Sequence, residues 1–325
     1  MKHRHILAAL ALGTVLAPVA TLAQSYPDRP VTIIVPFAAG GPTDTVSRLV
    51  GEVMSRELGQ QVLIQNVGGA GGTLGAGQAA DAEADGYTLL IHHIGMSTAP
   101  TLYRNLPYDA LTDFTPIGLI TEVPMTVIAR KDFESATLAD LVEKIKAEGE
   151  ALTYGNAGIG AASHLCGMLL MEAVGAQMTT VPYQGTGPMM TDLLGGQIDL
   201  SCDQTTNTTN QILAGEIKAY AVTVPERLAN LPDLPTTAEG GLPALEVSVW
   251  HGLYGPDGLP QEVVDRLQAA LVAALSDAIV IQRFAELGTS PVSAEEATPA
   301  ALTETLTSQI ATWKPIIEAA GAFAN

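Results

Sequence analysis

The residues best suited to chemistry lie in turns rich in glycine and hydroxyl side chains. Phe37–Asp44 (FAAGGPTD) and Gly68–Thr73 (GGAGGT) each follow a β-branched run and lead into a helical pattern. Successive backbone N–H groups at a helix N-terminus carry partial positive charge and suit carboxylates or phosphates. Glycine lets the backbone approach a ligand closely. The first turn offers Phe37, Ala38, Gly41, Pro42 and Thr43 as contact residues. The second offers Gly69, Ala70, Gly71, Gly72 and Thr73. Three further turns repeat the theme. Asn156–Ser163 brings Asn156, Gly158, Gly160 and Ser163, Gln184–Thr186 brings Gln184, Gly185 and Thr186, and Asp203 follows another short apolar run. Ser97, beyond a third such run, joins these candidates. A single glycine turn is most simply a tight connection, but several along one sheet edge point to a ligand site.

None of these turns contains Lys or Arg. The whole chain carries 15 basic against 34 acidic side chains, a net charge of −19. Long-range steering would therefore repel an anion, and capture has to rest on local dipoles and hydrogen bonds. Asp44 falls in the first helical turn, where its charge complements the helix N-terminus. An anionic ligand would be repelled by it, so a structural role is expected. Asp203 has two open roles: orienting loop amides, or accepting from a protonated or amino group of a ligand.

Enzymatic signatures are weak. Gly75–Ala80 fits G-x-G-x-x-A, but residues 91–100 lack the acidic partner that a dinucleotide site needs. No H-E-x-x-H, G-x-S-x-G or P-loop is present. Ser163 and His164 are adjacent on a helix and point about 100° apart. His92-His93 ends a strand, so at most one ring faces a cleft, and no third ligand makes a metal site. No metal and no cofactor are expected. The acidic balance also excludes a general nucleic-acid binder.

The elements that position these turns follow from the patterning. Strands are expected at Val31–Val35, Val62–Gln65, Tyr87–His92, Leu152–Gly155, Thr179–Tyr183 and Ile198–Cys202. Helices are expected near 43–58, 74–80, 162–174 and 189–194, with another ending near Ala214. Strands alternating with helices argue for parallel α/β sheets, whose ligands bind beyond the carboxyl ends of the strands. Thr137–Asp140 and Thr298-Pro299 open further helices, and another follows Pro260. Leu228–Pro243 (LANLPDLPTTAEGGLP) reads as a long surface connection. Breaks near 117–124 and 247–254 would divide the chain into one domain built from its two ends and one from its middle.

Residues 1–23 (MKHRHILAALALGTVLAPVATLA) combine a basic start, a short apolar run and small residues at the cleavage positions. This predicts a secretory signal peptide cleaved after Ala23 and a periplasmic protein. Losing Lys2 and Arg4 leaves 13 basic against 34 acidic side chains, a net charge of −21. In an oxidising compartment Cys166 and Cys202 could pair, or remain two small buried side chains.

The motifs Tyr26–Pro30, Val35–Gly41, Asp85–Leu90, Leu106–Asp109, Val181–Gly185, Asp192–Asp199, Leu231–Thr236 and Trp250–Leu253 run in order across the mature chain. In this arrangement the sequence resembles the substrate-binding proteins of tripartite tricarboxylate transporters, the Bug or TctC type. The resemblance implies an α/β, two-domain Venus flytrap of the type II periplasmic-binding class, with a hinge of two crossing strands. The implied domains are 24–123 plus 247–325, and 124–246. It implies a non-enzymatic monomer that captures a small mono-, di- or tricarboxylate, aliphatic or aromatic, and delivers it to membrane permease subunits. The alternatives are a ligand-sensing input to a membrane signalling protein, or an exported hydrolase. In the family a ligand carboxylate is held, partly through water, by the loops that correspond here to Phe37–Thr43 and Gly69–Thr73. The turns Asn156–Ser163, Gln184–Thr186 and Asp203–Thr206 would close over its far end. Family members often carry Ser or Thr after the Gly-x-Gly turn, where this chain has Ala161 and Ala162. The run Thr205–Thr209 would either replace those hydrogen bonds or cap a helix.

Overall fold

The computed structural model describes residues 26–321 and Ala324; the expected signal peptide lies outside the described residues. The chain begins with β1 (Val31–Val35), α1 (Pro42–Leu58), β2 (Val62–Asn66), α2 (Thr73–Ala80), β3 (Thr88–His93) and α3 (Gly95–Leu102). A long strand, β4 (Phe114–Arg130), then leads to α4 (Leu138–Glu148), β5 (Thr153–Asn156), α5 (Ala162–Val174), β6 (Thr179–Pro182) and α6 (Thr186–Leu194). After these come β7 (Leu200–Gln204), α7 (Thr205–Leu213), β8 (Ile217–Val222), β9 (Ser248–Pro256), α8 (Gln261–Leu275), α9 (Ala278–Glu286), β10 (Ser290–Pro291) and α10 (Pro299–Ala320).

The strands form one curled sheet in the order β2-β1-β3-β9-β4-β7-β5-β6, with β10 and β8 also on β4. Two sets of parallel strands flank a central strand. β1 pairs in parallel with β2 and β3, and β5 pairs in parallel with β6 and β7. Residues Phe114–Pro124 of β4 pair antiparallel with β9, and Met125–Ala129 pair antiparallel with β7. One strand therefore belongs to both halves. The chain crosses back at Val247, whose N–H donates to Thr223 O while Thr223 N–H donates to Met125 O. These two crossings match the hinge implied by the resemblance. The expected break at 117–124 is not a gap between elements; it lies inside β4.

Local sequence explains the site-bearing elements. β1 is a short run of β-branched residues with Val31, Ile33, Ile34 and Val35 fully buried, as a parallel strand covered on both faces requires. On α1, Val46, Val50, Val53, Met54 and Leu58 recur at helical spacing and pack with Val263, Leu267 and Leu271 of α8. Gly59 at φ 71° ends that helix. In the second half, Cys166 of α5 and Cys202 of β7 form a disulfide, with Cα atoms 6.0 Å apart. Leu228–Pro243 departs from the surface reading. Leu231 and Leu234 are buried against Val222, and Thr237 is buried with its hydroxyl donating to Leu245 O. Apolar anchors at every third residue outweigh the Pro and Gly punctuation there.

Candidate functional site

The glycine-rich turns meet at the carboxyl ends of β1, β2, β5, β6 and β7, where the two halves touch. Ala38 N–H donates to Gln184 O at 2.9 Å across the junction. Thr98 Oγ1 donates to Gly160 O at 3.0 Å, and Tyr103 OH donates to Ile159 O at 2.8 Å. A Cβ added at Gly71 would lie 1.8 Å from Ile159 O, so only glycine fits there in this closed arrangement.

Contact between the turns leaves two spaces. The outer one is an open groove of about 990 Å³. Of the candidate residues, Ala38, Gly69, Ala70, Gly71, Gly158 and Gln184 line it, together with Leu74, Tyr103, Ile159, Tyr183 and Pro188. The inner one is small, about 10 Å³, room for roughly one water molecule. Of the candidate residues, Phe37, Gly41, Pro42, Thr43, Ser163, Thr186 and Asp203 line it, with His93, Gln204 and three alanines, Ala157, Ala161 and Ala162. Neither space is lined by Lys or Arg.

The remaining candidates stand behind the lining. Gly72 packs against the Phe37 and His92 rings. Thr73 Oγ1 donates to Ala70 O, and Asn156 Oδ1 accepts from Gly158 N–H. Gly160 and Gly185 support the loop junction, with Gly185 against Ala38. Ser97 is a correction: it is fully buried in α3, and its hydroxyl donates to Ile94 O. That helix escaped the sequence reading because its polar residues face inward.

Electrostatics at the inner space come from helix ends, neutral rings and hydroxyls, and the Asp203 carboxyl. No side chain caps α1, α2, α5, α6 or α7, nor α3 and α8, whereas Thr137, Asp277 and Thr298 cap α4, α9 and α10. The uncapped first-turn N–H groups of the site helices remain available to an anion. Asp44 has the structural role expected of it. It accepts from Gly40 N–H, Asn66 Nδ2 and Arg48, each at 3.0 Å. Burial works against its charge, but the hydrogen bonds from Arg48, Gly40 and Asn66 hold its carboxyl below the ordinary value. The loop after β1 is thereby tied to α1 and β2.

His92 and His93 are both buried, and only His93 lines the inner space. The Phe37 ring stacks on His93 with centroids 4.6 Å apart. His93 Nδ1 accepts from Gly95 N–H at 2.9 Å. The ring proton of neutral His93 therefore sits on Nε2, as a donor. Burial, reinforced by His92 and His251, pushes His93 well below its ordinary value, so the ring stays neutral. Burial likewise lowers His92 and His251 to about 3. Asp203 is 1% exposed. Burial raises its carboxyl to about 6, against hydrogen bonds from Asn207 Nδ2 at 2.6 Å and Gln204 N–H at 2.8 Å.

The hydroxyl-rich run Thr205–Thr209 neither caps α7 nor lines either space. Thr208 bonds Thr126 Oγ1, while Thr205 and Thr209 donate to Gly288 O and Leu287 O, tying α7 to the other half. Ser163 and His164 form no proton-sharing pair. Ser163 Oγ accepts from Ala157 N–H and His164 Nδ1 from Gly160 N–H, so both shape the turn. Among the described residues no cluster of His, Cys, Asp and Glu could hold a metal ion, and no helix is long and apolar enough to cross a membrane.

A glycine-built cleft without Lys or Arg between two sheet halves suits a receptor, and comparison with known proteins agrees. The family model for the tripartite tricarboxylate transporter family receptor, TctC, matches residues 46–322. This chain belongs to that family. A relative from Agrobacterium vitis, described as a UPF0065 protein in the TAR-I ttuE-ttuC' intergenic region, is 54% identical over 321 residues, covering 99% of this chain and 92% of its own. The solved structure of the periplasmic binding protein BugD has a TM-score of 0.90 and 50% identity, covering 92% of this chain and 100% of its own. MatC of Rhodopseudomonas palustris, solved with bound malate, has a TM-score of 0.87 and 38% identity, covering 90% of this chain and 100% of its own. The receptor thus shares the two-domain fold of periplasmic solute-binding proteins. Two residues that line the inner space, His93 and Gln204, are not among the candidate ligand contacts, although the sequence places the His92-His93 pair at a strand end with one ring able to face a cleft. Both lie at the last position of a strand, one and two residues beyond the expected ends of β3 and β7.

Proposed function

We propose that this receptor captures a small organic carboxylate between its two halves and delivers it to the permease of a tripartite tricarboxylate-type transporter. The observation that carries this reading is the junction of uncapped helix N-termini around a buried space without a cationic side chain. Such a site satisfies a carboxylate through N–H and hydroxyl donors at low electrostatic reach, which suits a strongly acidic protein. The malate in the MatC structure supports the same ligand class.

In this reading one ligand carboxylate meets the loops Phe37–Thr43 and Gly69–Thr73, with His93 Nε2–H as a further donor. The turns at Asn156–Ser163, Gln184–Thr186 and Asp203 close over the rest. A space of about 10 Å³ is too small for a diacid, so in this reading the halves separate to admit one. The moving bodies would be residues 24–123 with 247–325, and residues 124–246, turning about the crossings near Val123–Met125 and Val247. In this reading residues 1–23 are removed on secretion, and the receptor acts in the periplasm as a monomer. The test is a calorimetric screen of the chain from residue 24 against carboxylic acids and their matched amides. Heat from an acid and none from its amide supports carboxylate capture; equal response to both would sink it.

A further inference from the structure

The contacts between the two halves do not all lie around the ligand space. At the end of α9 three successive backbone carbonyls, Glu286 O, Leu287 O and Gly288 O, accept from side chains of the opposite half. Asn230 Nδ2 donates to Glu286 O at 3.1 Å, Thr209 Oγ1 to Leu287 O at 3.2 Å and Thr205 Oγ1 to Gly288 O at 3.3 Å. The last carbonyls of a helix have no intrahelical partner and need one from outside. Thr205 and Thr209 stand four residues apart on one face of α7, and both are fully buried. Gly288, at φ +76°, lets the corner come this close. A Cβ there would lie 3.1 Å from both head-group atoms of Asn230 and 3.3 Å from Leu228. Thr205, Thr209 and Asn230 line neither the outer groove nor the inner space. Thr208, in the same run, is a contrast: its hydroxyl bonds Thr126 Oγ1 at 2.8 Å within its own half.

We propose that Thr205, Thr209 and Asn230 form a latch on the end of α9 that holds the receptor closed and so raises its affinity without touching the ligand. The inference rests on the reading of residues 24–123 with 247–325, and residues 124–246, as the two moving bodies. The three donors belong to the second body and the three carbonyls to the first, so opening the cleft draws each donor away from its acceptor. Both groups then exchange the bond for water, which keeps the contribution of each bond small. Three such bonds act on one equilibrium, and ligand affinity follows the fraction of receptor able to hold the closed form. The latch residues are positioning residues. They act through the approach of the two halves, while the cleft residues set which ligand is held.

The experiment compares two changes in one helix. Thr205→Val with Thr209→Val removes both latch hydroxyls at nearly constant volume. Thr208→Val removes the neighbouring hydroxyl, whose bond stays inside one body. The probe is whichever of malate, aspartate, succinate and adipate binds the native chain most tightly by calorimetry. The double variant is expected to bind it roughly 5- to 150-fold more weakly, the range that two lost hydrogen bonds correspond to. The loss is expected as faster dissociation in stopped flow, with the order of preference among the four acids unchanged. Thr208→Val is expected to bind as the native chain does, to within about twofold, while its urea midpoint falls. If the double variant does not fold, Asn230→Ala carries the test, because it removes only the bond to Glu286 O; its expected loss is about 3- to 10-fold. Unchanged affinity in the folded latch variants, or an equal loss in Thr208→Val, overturns the latch and leaves the carboxylate reading standing. Silence from all four acids overturns both.

Discussion

Gly71 offers a direct handle on closure. Its φ is +62°, and a Cβ there would sit 1.8 Å from Ile159 O in the opposite half. Real Cβ contacts are essentially never under 3.0 Å, so Gly71→Ala must hold the two loops at least 1.2 Å further apart than in the closed form. That separation would stretch the Tyr103 OH to Ile159 O bond, now 2.8 Å, and the Ala38 N to Gln184 O bond, now 2.9 Å. At about 0.5–1.5 kcal/mol for each bond lost, closure becomes about 1–3 kcal/mol less favourable. Binding linked to closure should weaken by roughly 5- to 150-fold. Gly59, at the far end of α1, is the matched control: its φ is +71°, and a Cβ there meets nothing within 4 Å. Gly71→Ala and Gly59→Ala should both lose about 1–2 kcal/mol of stability from backbone strain. Only Gly71→Ala should lose affinity as well. Urea melts and calorimetry on both variants read the two effects separately. If Gly71→Ala binds as tightly as Gly59→Ala, ligand capture does not require these loops to meet.

Other perturbations follow from buried groups. His92 and His251, each held at about 3, are neutral in the fold and titrate near 6.5 when unfolded. Their stability contribution is complete above pH 6.5 and is lost as pH falls toward 3. From pH 7 to pH 5 the loss is about 2 kcal/mol for each ring, and the Asp203 carboxyl, raised to about 6, returns only about 1 kcal/mol by protonating. Urea midpoints should therefore drop between pH 7 and 5; a flat profile would mean that these rings are not buried neutral. The Cys166→Ala/Cys202→Ala variant opens a loop with a sequence separation of 36 and should lose about 4 kcal/mol in urea unfolding by the chain-entropy argument; a loss under 1 kcal/mol would contradict that account. Ala161→Ser places a hydroxyl beside Phe37 and the inner space, and should reorder acid preference while changing stability by about 1 kcal/mol or less. An unchanged order would place that turn outside the site.

Much of the candidate site, as the turns that line the two spaces, was legible because its chemistry is local. Glycine turns after β-branched runs define both the strand ends and the backbone donors, and Asp44 needed only its first-turn position to be read as structural. What escaped depends on tertiary pairing. β4 runs unbroken through Pro116, Gly118 and Pro124, and register shifts near Pro116–Gly118 and Leu119–Thr121 absorb the punctuation that sequence alone reads as a break. Gln204 and His93 hinge on one or two residues of strand end, which the neighbouring strands fix. The role of Thr205–Thr209 depended on a turn more than 75 residues away that supplies the carbonyls of Leu287 and Gly288. The Cys166–Cys202 bond likewise required β7 to lie beside α5.

Calorimetric titration of the chain from residue 24 with malate and with its diamide tests the central claim most directly. Capture by helix N-termini and neutral donors predicts saturable binding of the acid, weak salt dependence because no exposed cation is involved, and no binding of the diamide. Equal affinity for acid and diamide, or binding that collapses with modest salt, would contradict a buried carboxylate held by backbone dipoles.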